Sequence, residues 1–274
     1  MTGTEDEAVS SSPLSWSGIE MLLARRFLVS RVRKTLTLHP RALKTFEVLC
    51  SAYRAGFRAP ALLLKTIYYS RYGDIVVHPN THITGGRWLS VAGKLTIGKP
   101  FRILMHPSDK TIVDLHGHLN TRGDVLIGKG CRIWVGDGAH CVLEDCFISA
   151  NGLAIIRHGL TIGAGSAISW DCRFLDDDWH TLDYPGKRAK PMQITIGKRV
   201  WMGSNVSVLK GVTVGDGCVV ASGSVLTGSY PANCMIGGNP AKVLKENIRW
   251  GGDELGPSPE GMMDTSVASV GASA

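Results

Sequence analysis

Residues 196–231 read IGKRVW MGSNVS VLKGVT VGDGCV VASGSV LTGSYP, six consecutive units of six residues. The first place in every unit is aliphatic or Met: Ile196, Met202, Val208, Val214, Val220 and Leu226. The fifth is Val200, Val206, Val212, Cys218 and Ser224, until the last unit breaks the rule with Tyr230. Gly occupies the second place in three units. A period of six fits neither the 3.6 of a helix nor the simple alternation of an antiparallel strand. It describes a coil whose faces are short parallel strands, with three units per turn of about eighteen residues. The first-place residue points inward and stacks on its counterpart one turn away. Small fifth-place residues let the corners close.

The phase continues upstream as IGAGSA and ISWDCR from Ile162, and approximately as IGKGCR from Ile127. Between them the register slips, at VGDGAH and around Gly159, so the early coils are irregular. After Ile162, Ile168 and Phe174 the count requires inward residues at 180 and 186, where the chain has His180 and Gly186. It resumes only at Ile196. Residues 175–193 are therefore expected to leave the coil as an excursion with His180 near its start.

The rest of the chain suits this frame. Its 274 residues are 44% hydrophobic and 19% charged, ordinary values for a globular protein. Its 33 glycines, well above the usual ~7% share, signal many tight turns. Seven cysteines, an odd number with no C-x-x-C pair, argue against both a disulfide framework and a zinc site. They read as packed thiols in a reducing, cytoplasmic setting. No run reaches the ~18 apolar residues of a membrane span, and the acidic, Ser-rich start lacks the basic end of a signal peptide.

Residues 1–16 and 251–274 read as disordered ends, 17–73 as a basic helical segment of two or three amphipathic helices, and 74–250 as the β-helix domain. The net charge of +7 is concentrated: Glu20 to Arg71 holds eight Arg and three Lys against two Glu. Such a segment suits a solvated helix surface or peripheral contact with an anionic inner membrane face. No nucleic-acid partner is expected.

Three stretches, DDDWHTLD, ITIGKRVWMGSNVSVLKGVTVGDGCVVASGSVLTG and PANCMIGGNPAKVLKE, resemble the left-handed β-helix (hexapeptide-repeat) acyltransferases, over about residues 120–250. The likeness is to O-acetyltransferases of bacterial polysaccharides and to galactoside and maltose acetyltransferases. It implies a mainly β fold, a left-handed parallel β-helix with an N-terminal helical segment and a short C-terminal helix or tail; handedness comes from the resemblance alone, against the usual right-handed crossover. It further implies a homotrimer with sites between subunits, acetyl-CoA as donor, and a sugar hydroxyl of a surface polysaccharide or its precursor as acceptor. His180 matches the family's catalytic histidine, suited to take a hydroxyl proton because imidazole titrates near ~6.5. Asp176 and Asp178 match the family's acids, with Asp178 taken as the assisting one. Trp201 would wall the thioester, Gly203, Ser204, Ser222 and Thr227 would line the pantetheine arm, and Lys242 and Lys245 would face the phosphates. After Thr227 relatives often place a lysine and an acid, whereas this chain has Gly228 and Ser229.

His116, His118, His140 and His158 raise the alternative of a metal between subunits. The slipped register and the absence of carboxylate partners at useful spacing weigh against it. N-acetylation of an amino sugar, serine O-acetylation and a non-catalytic hexapeptide scaffold remain as rivals. Retention of His180 in its acidic segment and of Trp201 speaks against the scaffold.

Overall fold

The computed structural model describes residues 65–101, 105, 106, 108–180, 183, 185 and 192–251. Most of the basic helical segment and both chain ends lie outside them, with Cys50. Within them the chain winds as a parallel β-helix of three faces. The first face stacks Thr81–Thr84, Thr111–Leu115, Arg132–Val135, Leu153–Ile156, Arg173–Leu175, Ser207–Leu209 and Val225–Leu226. The second begins with the leading halves of Leu89–Lys99 and His118–Gly128 and continues through His140–Glu144, Gly159–Ile162, Ile194–Ile196, Thr213–Val214 and Ser229–Tyr230. The third holds Asp74–Val77, the trailing halves of those two long strands, then Phe147–Ile148, Ala167–Ile168, Trp201–Met202, Val219–Val220 and Met235–Gly238. The long strands turn the corner at Gly93 and Gly123. Gly93 has φ +118°, and a Cβ there would lie 2.3 Å from the Gly123 carbonyl oxygen, so only glycine fits.

The hexads set the core as expected. All six first-place residues are buried, and so are the fifth-place residues. Thr195 pairs with Thr213 and Trp201 with Val219, eighteen positions apart. Earlier coils are longer, with Ile133 beside Ala154, and this produces the slips seen in the sequence. Tyr230 does not end the pattern. The last coil is two residues shorter, which pairs Tyr230 with Val214 in the inward row, and its hydroxyl donates to the Ala241 carbonyl at 3.2 Å. The ring thus fills the end of the core where a further aliphatic residue would stand. Beyond it, of the helix or tail expected at the C-terminus, the described residues give an antiparallel strand, Ala241–Lys245, followed by a tail.

The excursion is also present. Ile162 pairs with Ile196, Ile168 with Met202 and Phe174 with Val208, each 34 positions apart where the regular step is eighteen. The coil therefore resumes in register after the loop. A second long step separates Ile97 from Ile127, and the buried Lys129 donates to the carbonyl of His106 within it at 2.7 Å. Six described cysteines are free and buried. Cys131, Cys172 and Cys218 donate to carbonyls of Ser149, Gly203 and Pro231, and burial pushes the Cys131 thiol up to about 12. They act as packed thiols, as expected. No described helix is long and apolar enough to cross a membrane.

Phe174 stacks between Ala154 and Val208 in the first face's inward row. Phe174→Ala should cost about 3–5 kcal/mol of folding stability, read as a lowered urea midpoint. His78 is buried beside the Lys99 charge, and burial foremost lowers its pKa to about 4. The fold thus holds a neutral ring that the unfolded chain would protonate below ~6.5. Its contribution is complete above that pH and is lost as pH falls through 4. The melting temperature should fall over this window less steeply in His78→Leu than in the native chain.

Candidate active site

The excursion leaves at the corner between the first and second faces, and its first residues are fastened to the coil above. Asp176 is fully buried, and its carboxylate accepts backbone N–H groups of Arg157, His158 and Gly159, each at 2.7 Å. Asp177 accepts the Trp179 N–H at 2.7 Å and contacts His158 Nε2 at 3.1 Å and Arg157 Nε at 3.3 Å. The Trp179 N–H, with those two side chains, holds the Asp177 carboxyl below the usual range. Trp179 has φ +60°, rare for so large a side chain. Its ring packs 5.6 Å from Trp134, with the Arg157 guanidinium 4.9 Å from its centroid.

His180 follows, exposed, with Nδ1 3.0 Å from the main-chain oxygen of Asp178. A carbonyl can only accept, so Nδ1 carries the hydrogen. In the neutral ring Nε2 is then a lone pair available as a base. The Asp178 carboxylate forms an ion pair with Lys210 on a later coil. Of the two acids that the resemblance singles out, Asp176 braces the loop, while Asp178 meets His180 through its backbone and not its side chain. Lys210 was not singled out by the sequence, because an outward lysine in a hexad carries no mark of its partner.

The residues matched to the donor lie elsewhere. Trp201 is exposed on the third face, and its row continues through Val219 and Met235 to Lys245. That spans three strand steps, roughly 14 Å. Lys242 is exposed on the same closing strand, opposite Gly237. Ser204 and Ser222 meet through their hydroxyls at 3.3 Å at the corner from the third face to the first. Gly203 lies beneath them, where a Cβ would stand 2.7 Å from Ser222 N. Thr227 is exposed where the first face turns into the second, with its N–H directed at the Tyr230 hydroxyl. Trp250, unmarked by any motif, packs 6.1 Å from Trp201 and donates from Nε1 to the Arg199 carbonyl at 2.7 Å. Within one chain, then, His180 and the Trp201 row stand on different sides of the coil.

Beside the excursion's foot a cleft of about 450 Å³ is lined by Asp137, Gly138, Arg157, His158, Met192 and Gln193. His118 and His140 stack on each other, while His158 is engaged by Asp177. No group of three or more metal-ligating side chains occurs among the described residues.

Residues 193–228 match the model for the hexapeptide repeat of succinyl-transferase. The chain is 41% identical over 139 residues to an uncharacterised 24.8 kDa protein of the cps region of Klebsiella pneumoniae, covering 50% of this chain and 63% of that one. It is 33% identical over 149 residues to the polysialic acid O-acetyltransferase of Escherichia coli, covering 50% and 44%. It thus spans less than two thirds of either relative. A solved structure, the polySia-specific acetyltransferase NeuO, aligns with TM-score 0.42 at 24% identity, covering 67% of this chain and 84% of that one. The chain has the left-handed parallel β-helix class expected of it, and its likeness to hexapeptide-repeat acetyltransferases is borne out.

Proposed function

We propose that the protein is an acetyl-CoA-dependent O-acetyltransferase acting on a sugar hydroxyl of a surface polysaccharide or its precursor, with His180 as general base. The observation that carries this reading is the bond from His180 Nδ1 to the Asp178 carbonyl, which leaves Nε2 as a base on an exposed loop braced at its root. The relative that is named a polysialic acid O-acetyltransferase supports it. The acceptor oxygen attacks the thioester carbonyl carbon as Nε2 takes its proton. The tetrahedral intermediate collapses with cleavage of the C–S bond, and the imidazolium returns the proton to the departing thiolate. Asp178, paired with Lys210, contributes by holding the backbone carbonyl that fixes the tautomer.

The same reading makes the active unit a homotrimer. His180 and the donor-side residues occupy different sides of one coil, so a site containing both needs a second copy. Outward rows on two faces favour such contacts: Trp134, Ile155, Leu175 and Leu209 on the first, and Leu126, Phe147, Ala167, Trp201, Val219 and Met235 on the third. A cyclic arrangement joins the two unlike faces three times. The basic stretch from Glu20 to Arg71 would hold this trimer at an anionic membrane face, near lipid-linked glycan.

His180→Ala should lower the turnover number by about 10²- to 10⁴-fold with purified protein and a sugar acceptor. Near-normal turnover would remove His180 from the mechanism. Lys242→Ala combined with Lys245→Ala should raise KM for acetyl-CoA more than it lowers kcat, because phosphate contacts serve ground and transition states alike. A short acetyl-pantetheine thioester should show no such difference. Equal losses with both donors would contradict the assignment.

A further inference from the structure

The second face differs from the other two. Its outward row runs Ser90, Asn120, Val142, Thr161, Thr195, Thr213 and Ser229, polar at every coil but one. Along its leading edge a second row places one residue per coil. His118 pairs with His140 and His140 with Gly159. Leu89 beside Leu119 sets Trp88 next to His118, with ring centroids 4.8 Å apart. Leu160 beside Ile194 sets Gly159 next to Gln193, whose Cγ would lie 3.1 Å from a Cβ at Gly159. The His118 and His140 rings are stacked at 4.8 Å and 7°. From Trp88 to Gln193 the row covers four strand steps, roughly 19 Å.

This row ends at the cleft lined by Gly138, Arg157, His158 and Gln193. Asp177 and Trp179 of the excursion grip Arg157 and His158 at the same place. A molecule lying along the row therefore arrives at the corner from which the loop carrying His180 departs.

We propose that the edge from Trp88 to Gln193, with the neighbouring polar row, is a binding track for an extended glycan chain, so that the acceptor is a polymer or long oligosaccharide and not a free monosaccharide. The proposal rests on the acyl-transfer reading for its role but not for the binding itself. The spacing supplies the reason. Imidazole, amide and hydroxyl groups recur once per coil, and each can both give and take hydrogen bonds with sugar hydroxyls. A single pyranose touches one or two rungs, whereas a chain gains contacts as it lengthens. The polar row does not suit an apolar protein partner. The charges suit nucleic acid no better, because Arg122 on this face is paired with Glu144 at 2.8 Å and Asp137 lies beside Arg157 in the cleft.

The test is affinity electrophoresis of the full chain in gels containing dextran, polygalacturonate or polysialic acid, with their mono- and oligosaccharides as competitors. At least one polymer should retard the protein, and competitor affinity should rise by roughly tenfold or more from one sugar to four. His118→Ala with His140→Ala should abolish that length dependence at an unchanged melting temperature, and Gln193→Ala should weaken it. Retardation by none of the three polymers, affinity independent of length, or unchanged binding by the double variant would overturn the proposal. The gels contain no acetyl-CoA, so failure of the acyl-transfer reading would leave this binding in place. Conversely, transfer to short sugars without polymer binding would remove the track alone.

Discussion

The excursion depends on Asp176. A coil can shed sixteen residues into a loop and resume in register only if the amides at the point of departure find other partners, since a buried unpaired N–H costs about 1–3 kcal/mol. Asp176 meets that requirement at Arg157, His158 and Gly159, and being fully buried it is screened little by water. The candidate base hangs from this knot. Asp177 ties the side chains of the same corner, Trp179 adopts a left-handed backbone to pack on Trp134, and His180 emerges one residue later.

The coil was legible because its selection acts at fixed intervals. An inward place every six residues admits only apolar side chains of modest size, so Ile196 to Leu226 announces both the fold and the register. Failure of that count at 180 and 186 likewise announced the loop. Less legible were features that depend on corner geometry. Early coils vary in length, so a rigid count loses phase at VGDGAH, and Tyr230 reaches the inward row because its coil is two residues short. A sequence pattern with fixed spacing cannot show which corner will contract.

The site was legible as residue types and not as pairings. The acidic run marked His180, but nothing in DDDWH distinguishes an acid that braces the backbone, as Asp176 does, from one that pairs with a lysine thirty-two positions on, as Asp178 does. Likewise Trp201 was marked only by the family resemblance, while its neighbour Trp250 lay beyond the stretches that carry it. Long-range contacts of this kind arise from the stacking of coils, which the local sequence does not encode.

Separation of His180 from the Trp201 row within one chain makes a shared site the central claim. It is tested most directly by co-expressing two inactive subunits, one carrying His180→Ala and the other Ser222→Trp, which would obstruct the donor side. In a trimer whose sites take the base from one copy and the donor wall from the next, random assortment should restore roughly a quarter of native activity. If the mixed oligomers prove no more active than the separate variants, each chain holds its own complete site and the account is wrong.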